Sequence, residues 1–228
     1  MVTLGPPVLH SPDPAASAAF YGALPGHHGT LPAIRPTPAG LTAAAWTPAF
    51  LTPDPDAVTR RILAAGGTAG ADGFGDPTGA EFTLDHHPAT DDPTDTRPWT
   101  ELLSVDTAAA KAFYCTALGW TGRDIPFEGG TYTVLGAGPH ESTGGIRQLR
   151  AAEAATGLGS HWLPYLEVDD IDGLIDRALR LGAVLREPAR QSPGIGRTAR
   201  LTDPQGAHFA AMARKCEKPL RGTRRGFY

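Results

Sequence analysis

Three segments of this chain occur twice, in the same order. Asp13-Pro-Ala-Ala-Ser-Ala-Ala-Phe20-Tyr21 returns as Asp106-Thr-Ala-Ala-Ala-Lys-Ala-Phe113-Tyr114. Trp46-Thr-Pro48, with Asp54 beyond it, returns as Trp162-Leu-Pro164 with Asp170. Asp76-Pro-Thr-Gly79-Ala80 returns as Asp203-Pro-Gln-Gly206-Ala207. An ordered internal repeat dictates architecture before any single residue does. It predicts two related halves, each of which partly repeats itself.

The offset between copies is 93 at the Phe-Tyr segment and 116 at the Trp-x-Pro segment, so the first half lacks 23 residues between them. Gly73-Phe-Gly75 also runs straight into Asp76, whereas Gly194-Ile-Gly196 is followed by a six-residue strand pattern, Arg197 to Thr202. The N-terminal half is therefore expected to have lost or shortened outer strands.

Local patterns give the elements. Asp106 is a good helix N-cap, and Ala110, Phe113, Tyr114, Ala117 and Leu118 follow it at the spacing of one buried helical face. Asp170 opens a second helix with Ile171, Leu174, Ile175, Ala178 and Leu179 inward, stopped at Gly182. Short strands, Trp99 to Val105 and Trp162 to Val168, precede these helices. Segments of β character follow them: Gly130–Leu135, Gly144–Leu149, Val184–Pro188, Arg197–Thr202 and Ala207–Ala213. The first half begins alike, with Pro14 at the first helical position after Asp13 and a helix from Asp54 to near Gly66.

The predicted fold class is α+β, with tandem βαβββ modules whose mixed sheets curl into a cup. Residues 1–87 form a shortened domain, 88–98 a polar Pro-rich linker, 97–213 a complete domain and 214–228 a basic tail. No apolar run reaches the ~18 residues of a membrane span, and no signal peptide precedes the first strand, so a cytoplasmic location is expected. The net charge of -4 makes nucleic acid an unexpected partner. Cys115 and Cys216 give no disulfide framework; a packed thiol is expected for the first and an inert one for the second.

Trp99-Thr-Glu101-Leu, Asp106, Phe113-Tyr114, Leu118-Gly-Trp120, Gly144-Gly145, Trp162-x-x-Tyr165, Asp170 and Asp203-Pro-x-Gly206 together resemble the vicinal oxygen chelate superfamily, which includes glyoxalase I, extradiol dioxygenases and bleomycin-resistance proteins. The match covers nearly all of 97–213; the first half joins through its repeat. The resemblance implies paired βαβββ modules with ligand or metal in the cup. It also implies a divalent ion held at the first strand of each module and near the end of the last. Those positions are Trp99, Leu163 and Ala210 in the second half and Pro6, Thr47 and Thr83 in the first. None is a competent ligand, so neither metal nor cofactor is expected.

Side chains two apart share a strand face. Trp99, Glu101 and Leu103, then Leu163, Tyr165 and Glu167, then His208, Ala210 and Met212 should line the cup, with Leu166 and Phe209 beneath the helices. Trp120, Trp162 and Gln148 complete the expected ligand surface. The first functional expectation is a metal-free cup that binds a small aromatic or polyketide-like metabolite. The alternative is an enzyme of the same superfamily (lyase, isomerase, cyclase or dioxygenase). It would act through Glu101 or His208 as acid or base with Tyr165 as donor, or through a metal. A one-residue slip would make Glu101, His161 and His208 metal ligands, although His161 is otherwise expected to point away from the cup. In a third reading, the first half is a structural partner, packed as subunits pack in family dimers; the protein is a monomer with this internal pseudo-dimer, or a homodimer. His27-His28, His86-His87 and His140 read as solvated loop residues. Gly194-Ile-Gly196-Arg-Thr-Ala199 lacks the helix a dinucleotide fingerprint needs.

Overall fold

The computed structural model describes residues 1–26, 33–37, 43–86, 98–127, 130–138, 142–155, 157–192 and 196–214. The first half contains β1 (Thr3–Leu4), β2 (Val8–Ser11), α1 (Pro14–Gly22), β3 (Ile34–Pro36), β4 (Ala45–Thr47), β5 (Ala49–Thr52), α2 (Pro55–Ala64), β6 (Thr68–Ala69), β7 (Phe74–Gly75) and β8 (Glu81–His86). The second contains β9 (Thr100–Ser104), α3 (Thr107–Leu118), β10 (Thr121–Phe127), β11 (Gly130–Gly136), β12 (Gly144–Gln148), α4 (Ala151–Ala154), β13 (His161–Glu167), α5 (Ile171–Arg180), β14 (Val184–Ser192), β15 (Gly196–Thr202) and β16 (His208–Arg214). No helix among the described residues is long and apolar enough to cross a membrane.

Among the described residues, four aspartates start the four long helices. Asp13, Asp54, Asp106 and Asp170 each accept a hydrogen bond from the backbone N–H three residues on, at 2.9, 2.9, 2.9 and 3.0 Å. Each cap satisfies a donor the helix cannot, worth about 1 kcal/mol. Gly119 ends α3 at φ 72°, a left-handed conformation that suits glycine.

The second half forms one open eight-stranded sheet in the order β10-β11-β12-β9-β13-β16-β15-β14. Two βαβββ modules meet where β9 and β13 run antiparallel, and each closes on its first strand through a parallel pair, β12 on β9 and β16 on β13. Pro164 has no N–H to donate, and β13 changes partner there, from β9 to β16.

The first half repeats this pattern in fragments. Its strands form a three-stranded sheet, β3-β2-β4, and a five-stranded sheet, β1-β5-β8-β7-β6. Pro48 separates β4, which pairs with β2, from β5, which pairs with β8. Trp46 sits opposite Leu9 as Trp162 sits opposite Leu102, and Ala49 opposite Thr83 as Tyr165 opposite Ala210. The sequence offsets thus superimpose register as well as motif. The expected shortening is present: β6 and β7 have two residues each, against nine and seven in β14 and β15.

Both main apolar cores mix residues of the two halves. In one, Phe50, Val58, Ile62 and Phe82 pack with Leu102, Phe113, Tyr114 and Trp162. In the other, Leu9, Phe20, Tyr21 and Trp46 pack with Ile171, Leu174, Ala178 and Phe209. The Tyr21 hydroxyl donates to Asp203 at 2.9 Å, and the Tyr114 hydroxyl donates to Asp76 at 3.0 Å. These are the repeated Tyr and the repeated Asp, exchanged between halves. Each aspartate's other oxygen accepts from its own turn, Asp76 from the backbone of Thr78 and Ala80, Asp203 from that of Gln205 and Ala207. Self-complementary exchange is the geometry of a two-fold interface, here built within one chain.

Two strands of the second half differ from expectation. β10 was not anticipated because Asp124 and Pro126 disfavour strands; its place at the sheet edge tolerates both. β14 continues past Pro188 to Ser192, through register shifts between Leu185 and Arg190 at the opposite edge.

Candidate functional site

Alternation along β9, β13 and β16 creates the cup. Leu103, Leu163, Tyr165, Ala210 and Met212 form a third buried cluster with Leu149, and Trp99 and Leu158 pack against it. Leu166 and Phe209 lie on the opposite face, among the core residues under the helices. The positions where relatives would hold a metal, Trp99, Leu163 and Ala210, are therefore fused into apolar packing. A divalent ion there would meet an indole, a leucine and an alanine, none of which offers a lone pair for it, so the residues do not fit the group. Among the described residues no cluster of three or more His, Cys, Asp or Glu could hold a metal.

Glu101 is 3% exposed and occupies the polar centre. It accepts from Arg200 at 3.0 Å and from the Tyr165 hydroxyl at 3.1 Å, and the Arg147 guanidinium lies 3.5 Å away. Arg200 also reaches Glu153 at 3.0 Å and Glu187 at 3.5 Å, and Arg150 pairs with Glu187. Burial opposes the Arg200 charge, but the surrounding carboxylates outweigh it and hold its pKa above the ordinary value. Burial likewise works against Glu153, yet the Arg150 backbone N–H and the Arg200 and Arg147 guanidinia keep its carboxyl below the usual range. Burial, then the Glu101 charge, pushes the Tyr132 and Tyr165 phenols up. Tyr132 accepts from the Trp99 indole N–H at 3.2 Å. A Cβ on Gly145 would lie 2.0 Å from the Tyr132 hydroxyl, so only glycine lets that ring lie over the sheet.

This network divides the cup. A small cavity of ≈ 20 Å³, room for about one water, touches Glu101, Tyr132, Arg147 and Tyr165. A larger one of ≈ 560 Å³ is lined by Leu103, Leu158, Leu163, His161 and His208, with Arg150, Arg186, Arg200, Glu153 and Glu187 around it. Arg200 and Glu187 border both. The His161 and His208 rings stand 5.6 Å apart. Burial, the neighbouring His161 and Arg186 push the His208 pKa down to about 4, and burial lowers that of His161 too.

Several expected site residues are elsewhere. Trp162 faces the core against Phe50 and Tyr114, because it is one residue out of step with Leu163 and Tyr165. Trp120 is buried in the same core and donates its indole N–H to the Val2 carbonyl at 2.8 Å. Gln148 is exposed and donates to the Val105 carbonyl; its neighbour Arg147 faces the cup instead. Glu167 is half-buried at the end of β13, outside both cavity linings, and Met212 lies in the apolar floor. Glu101 and His208 border different cavities, so the expected acid–base pair is not brought together. His161, expected to point away, lines the cavity with His208. The arginines went unremarked in sequence because an isolated Arg ordinarily reads as solvated; strand parity with Glu101 would have found Arg147 and Arg200. The basic tail from residue 215, the linker through residue 97 and His27, His28, His87 and His140 lie outside the described residues. Cys115 is half-buried on α3, with its thiol pushed up by burial.

Residues 96–210 match the family model for the Glyoxalase/Bleomycin resistance protein/Dioxygenase superfamily. The putative glyoxylase CFP32 of Mycobacterium tuberculosis is 34% identical over 201 residues, covering 79% of this chain and 75% of the relative. The anthracycline biosynthesis protein DnrV of Streptomyces peucetius is 29% identical over 254 residues, covering 90% of each. Among solved structures, a 2,2',3-trihydroxybiphenyl 1,2-dioxygenase from Sphingomonas wittichii strain RW1 is similar with a TM-score of 0.59 at 15% identity, covering 92% of this chain and 90% of that one. The Mn(II)-bound glyoxalase from Novosphingobium aromaticivorans gives 0.55 at 14% identity, covering 92% and 81%. With the paired βαβββ modules and their shared cup, these similarities lead to one conclusion: the chain belongs to the glyoxalase, bleomycin-resistance and dioxygenase superfamily.

Proposed function

We propose that the cup of the second half binds a small aromatic, polyketide-like metabolite without a resident metal ion. The observation that carries this reading is the pairing of an apolar floor at the family's metal positions with a ligand-sized cavity beside it. A volume of ≈ 560 Å³ falls in the range of small-molecule sites, about 300–1,000 Å³. Leu103, Leu158 and Leu163 offer apolar burial, while the arginines and histidines can orient oxygen substituents. The relative named for anthracycline biosynthesis supports a polycyclic aromatic ligand. The test is thermal stabilisation by hydroxylated anthraquinones, in the parent and in Leu158→Trp, which narrows the cavity from its half-buried wall. Stabilisation in the parent and its loss in the variant are expected; equal response of the two would exclude this cavity.

A second reading is a metal-free acid–base enzyme working in the same cavity. It is favoured by two histidines held neutral at pH 7 beside the ligand space, of which His161 offers its Nε2 lone pair to a proton. Turnover of a bound ligand that vanishes in His161→Gln would support it, and unchanged turnover would eliminate it.

A further inference from the structure

The two histidines of the large cavity are held in opposite tautomers. His161 Nδ1 lies 2.8 Å from the Gly159 carbonyl, which can only accept. The proton is therefore on Nδ1, and Nε2 keeps a lone pair. His208 Nδ1 lies 3.1 Å from the Thr202 hydroxyl. That hydroxyl accepts from Arg186 Nε at 2.8 Å, and Thr202 is 5% exposed. Its own proton needs an acceptor, and among the described residues His208 Nδ1 is the one within reach. His208 therefore carries its proton on Nε2.

The cavity thus holds one nitrogen that accepts and one that donates, on rings 5.6 Å apart. Neither Nε2 has a partner among the described residues, and neither is sealed in the interior. A hydroxyl group is both donor and acceptor. Ethers, ketones and carboxylates can only accept, and would leave the His161 lone pair facing another lone pair.

We propose that His161 and His208 together recognise a phenolic hydroxyl of the ligand, which donates to His161 Nε2 and accepts from His208 Nε2–H. Arg150 and Arg186, in the same lining, add a preference for an acidic substituent elsewhere on the same ring system. The proposal rests on the cup being a ligand site and names the group that the site selects. Selectivity of this kind comes from leaving buried polar groups unpaired with the wrong ligand.

The test uses the full chain and three fluorescent probes: 6-hydroxynaphthalene-2-sulfonate, its 6-methoxy ether and naphthalene-2-sulfonate. The hydroxyl compound is expected to bind about tenfold more tightly than the ether, and the ratio should fall to about one in His161→Phe and in His208→Phe. Equal binding of phenol and ether by the parent overturns the proposal while leaving the cup as a binding site. Binding of none of the three overturns it together with that site. A readout independent of any variant is the ¹⁵N spectrum of the imidazoles at neutral pH. The expected result is Nδ1–H on His161 and Nε2–H on His208; the same tautomer on both rings overturns the proposal.

Discussion

The two halves share a plan and differ in what surrounds it. Each keeps the Trp-x-Pro switch in its central strand, the same register on either side of that switch, and a helix tyrosine bonded to the other half's turn aspartate. The second half keeps long outer strands and therefore a walled cup. The first has short ones and two separate sheets. What both retain is the machinery of mutual packing; what one has lost is the wall of a site. First-half residues cover α3 and α5, and the proposed function makes the second half the ligand-bearing part.

The strongest challenge to this account is to separate the halves. Residues 97–213 alone would expose the faces of α3 and α5 that two mixed cores now cover. We expect that fragment to lose cooperative unfolding or to self-associate, read by circular dichroism and sedimentation. A monomer with a sharp transition and intact ligand binding would refute the supporting role.

The next effect contrasts Glu101 with its repeat counterpart Val8. Glu101→Leu leaves Arg147 and Arg200 buried, at 6% and 8% exposure, without their central carboxylate. The expected loss is about 3–5 kcal/mol by urea denaturation, since breaking a buried pair strands its partners. Val8→Leu, which adds one methylene at a buried site and moves the branch point, should cost less, about 1–3 kcal/mol. Equal effects would mean that the cup network contributes no more than ordinary packing.

The exchanged tyrosines test the symmetry itself. Tyr21→Phe and Tyr114→Phe each remove a hydrogen bond to a buried aspartate and should each cost about 1.5–3 kcal/mol. Burial raises the Asp203 pKa against its hydrogen bonds. Below that raised pKa Asp203 is protonated, so the Tyr21→Phe loss should shrink in acid. A large loss in one variant and none in the other would show that the two links are not equivalent.

The smallest effect is the pH dependence that a cup histidine adds. Burial brings the His208 pKa from its ordinary 6.5 down to about 4 in the fold. Between those values the unfolded chain binds a proton that the folded chain does not, so stability falls as pH drops through that window and levels off below it. His208 is only part-buried, and solvent screening trims the contribution to about 1–2 kcal/mol. His208→Gln should flatten this part of the profile; an unchanged slope would place the titrating group elsewhere.

Much of this was legible in the sequence because the repeat fixes more than resemblance. Offsets read from Trp46 and Trp162 also give strand register, since aligned motifs on paired strands must align their neighbours. Alternation put Leu103, Leu163, Ala210 and His208 on the cup side and Phe209 on the other. It misled at Trp162 and Gln148, which each stand one residue from the cup face that Leu163 and Arg147 hold, and at Glu167, which parity placed inward but which lies outside both cavities at the end of β13. The ion network escaped for a different reason. Arg147, Arg150, Glu153, Glu187 and Arg200 come from four separate elements and the turn before α4, and no local pattern announces that β14 and α4 bring them over Glu101. The histidine tautomers depend on Gly159 and Thr202, whose roles exist only in three dimensions.

The central claim is that this cup binds its ligand without a metal ion. Its most direct test is calorimetric titration of the full chain with 6-hydroxynaphthalene-2-sulfonate, before and after exhaustive chelation, and again with added Mn(II) or Zn(II). The account predicts the same affinity in all conditions. Loss of binding on chelation, restored by a stoichiometric divalent ion, would contradict it.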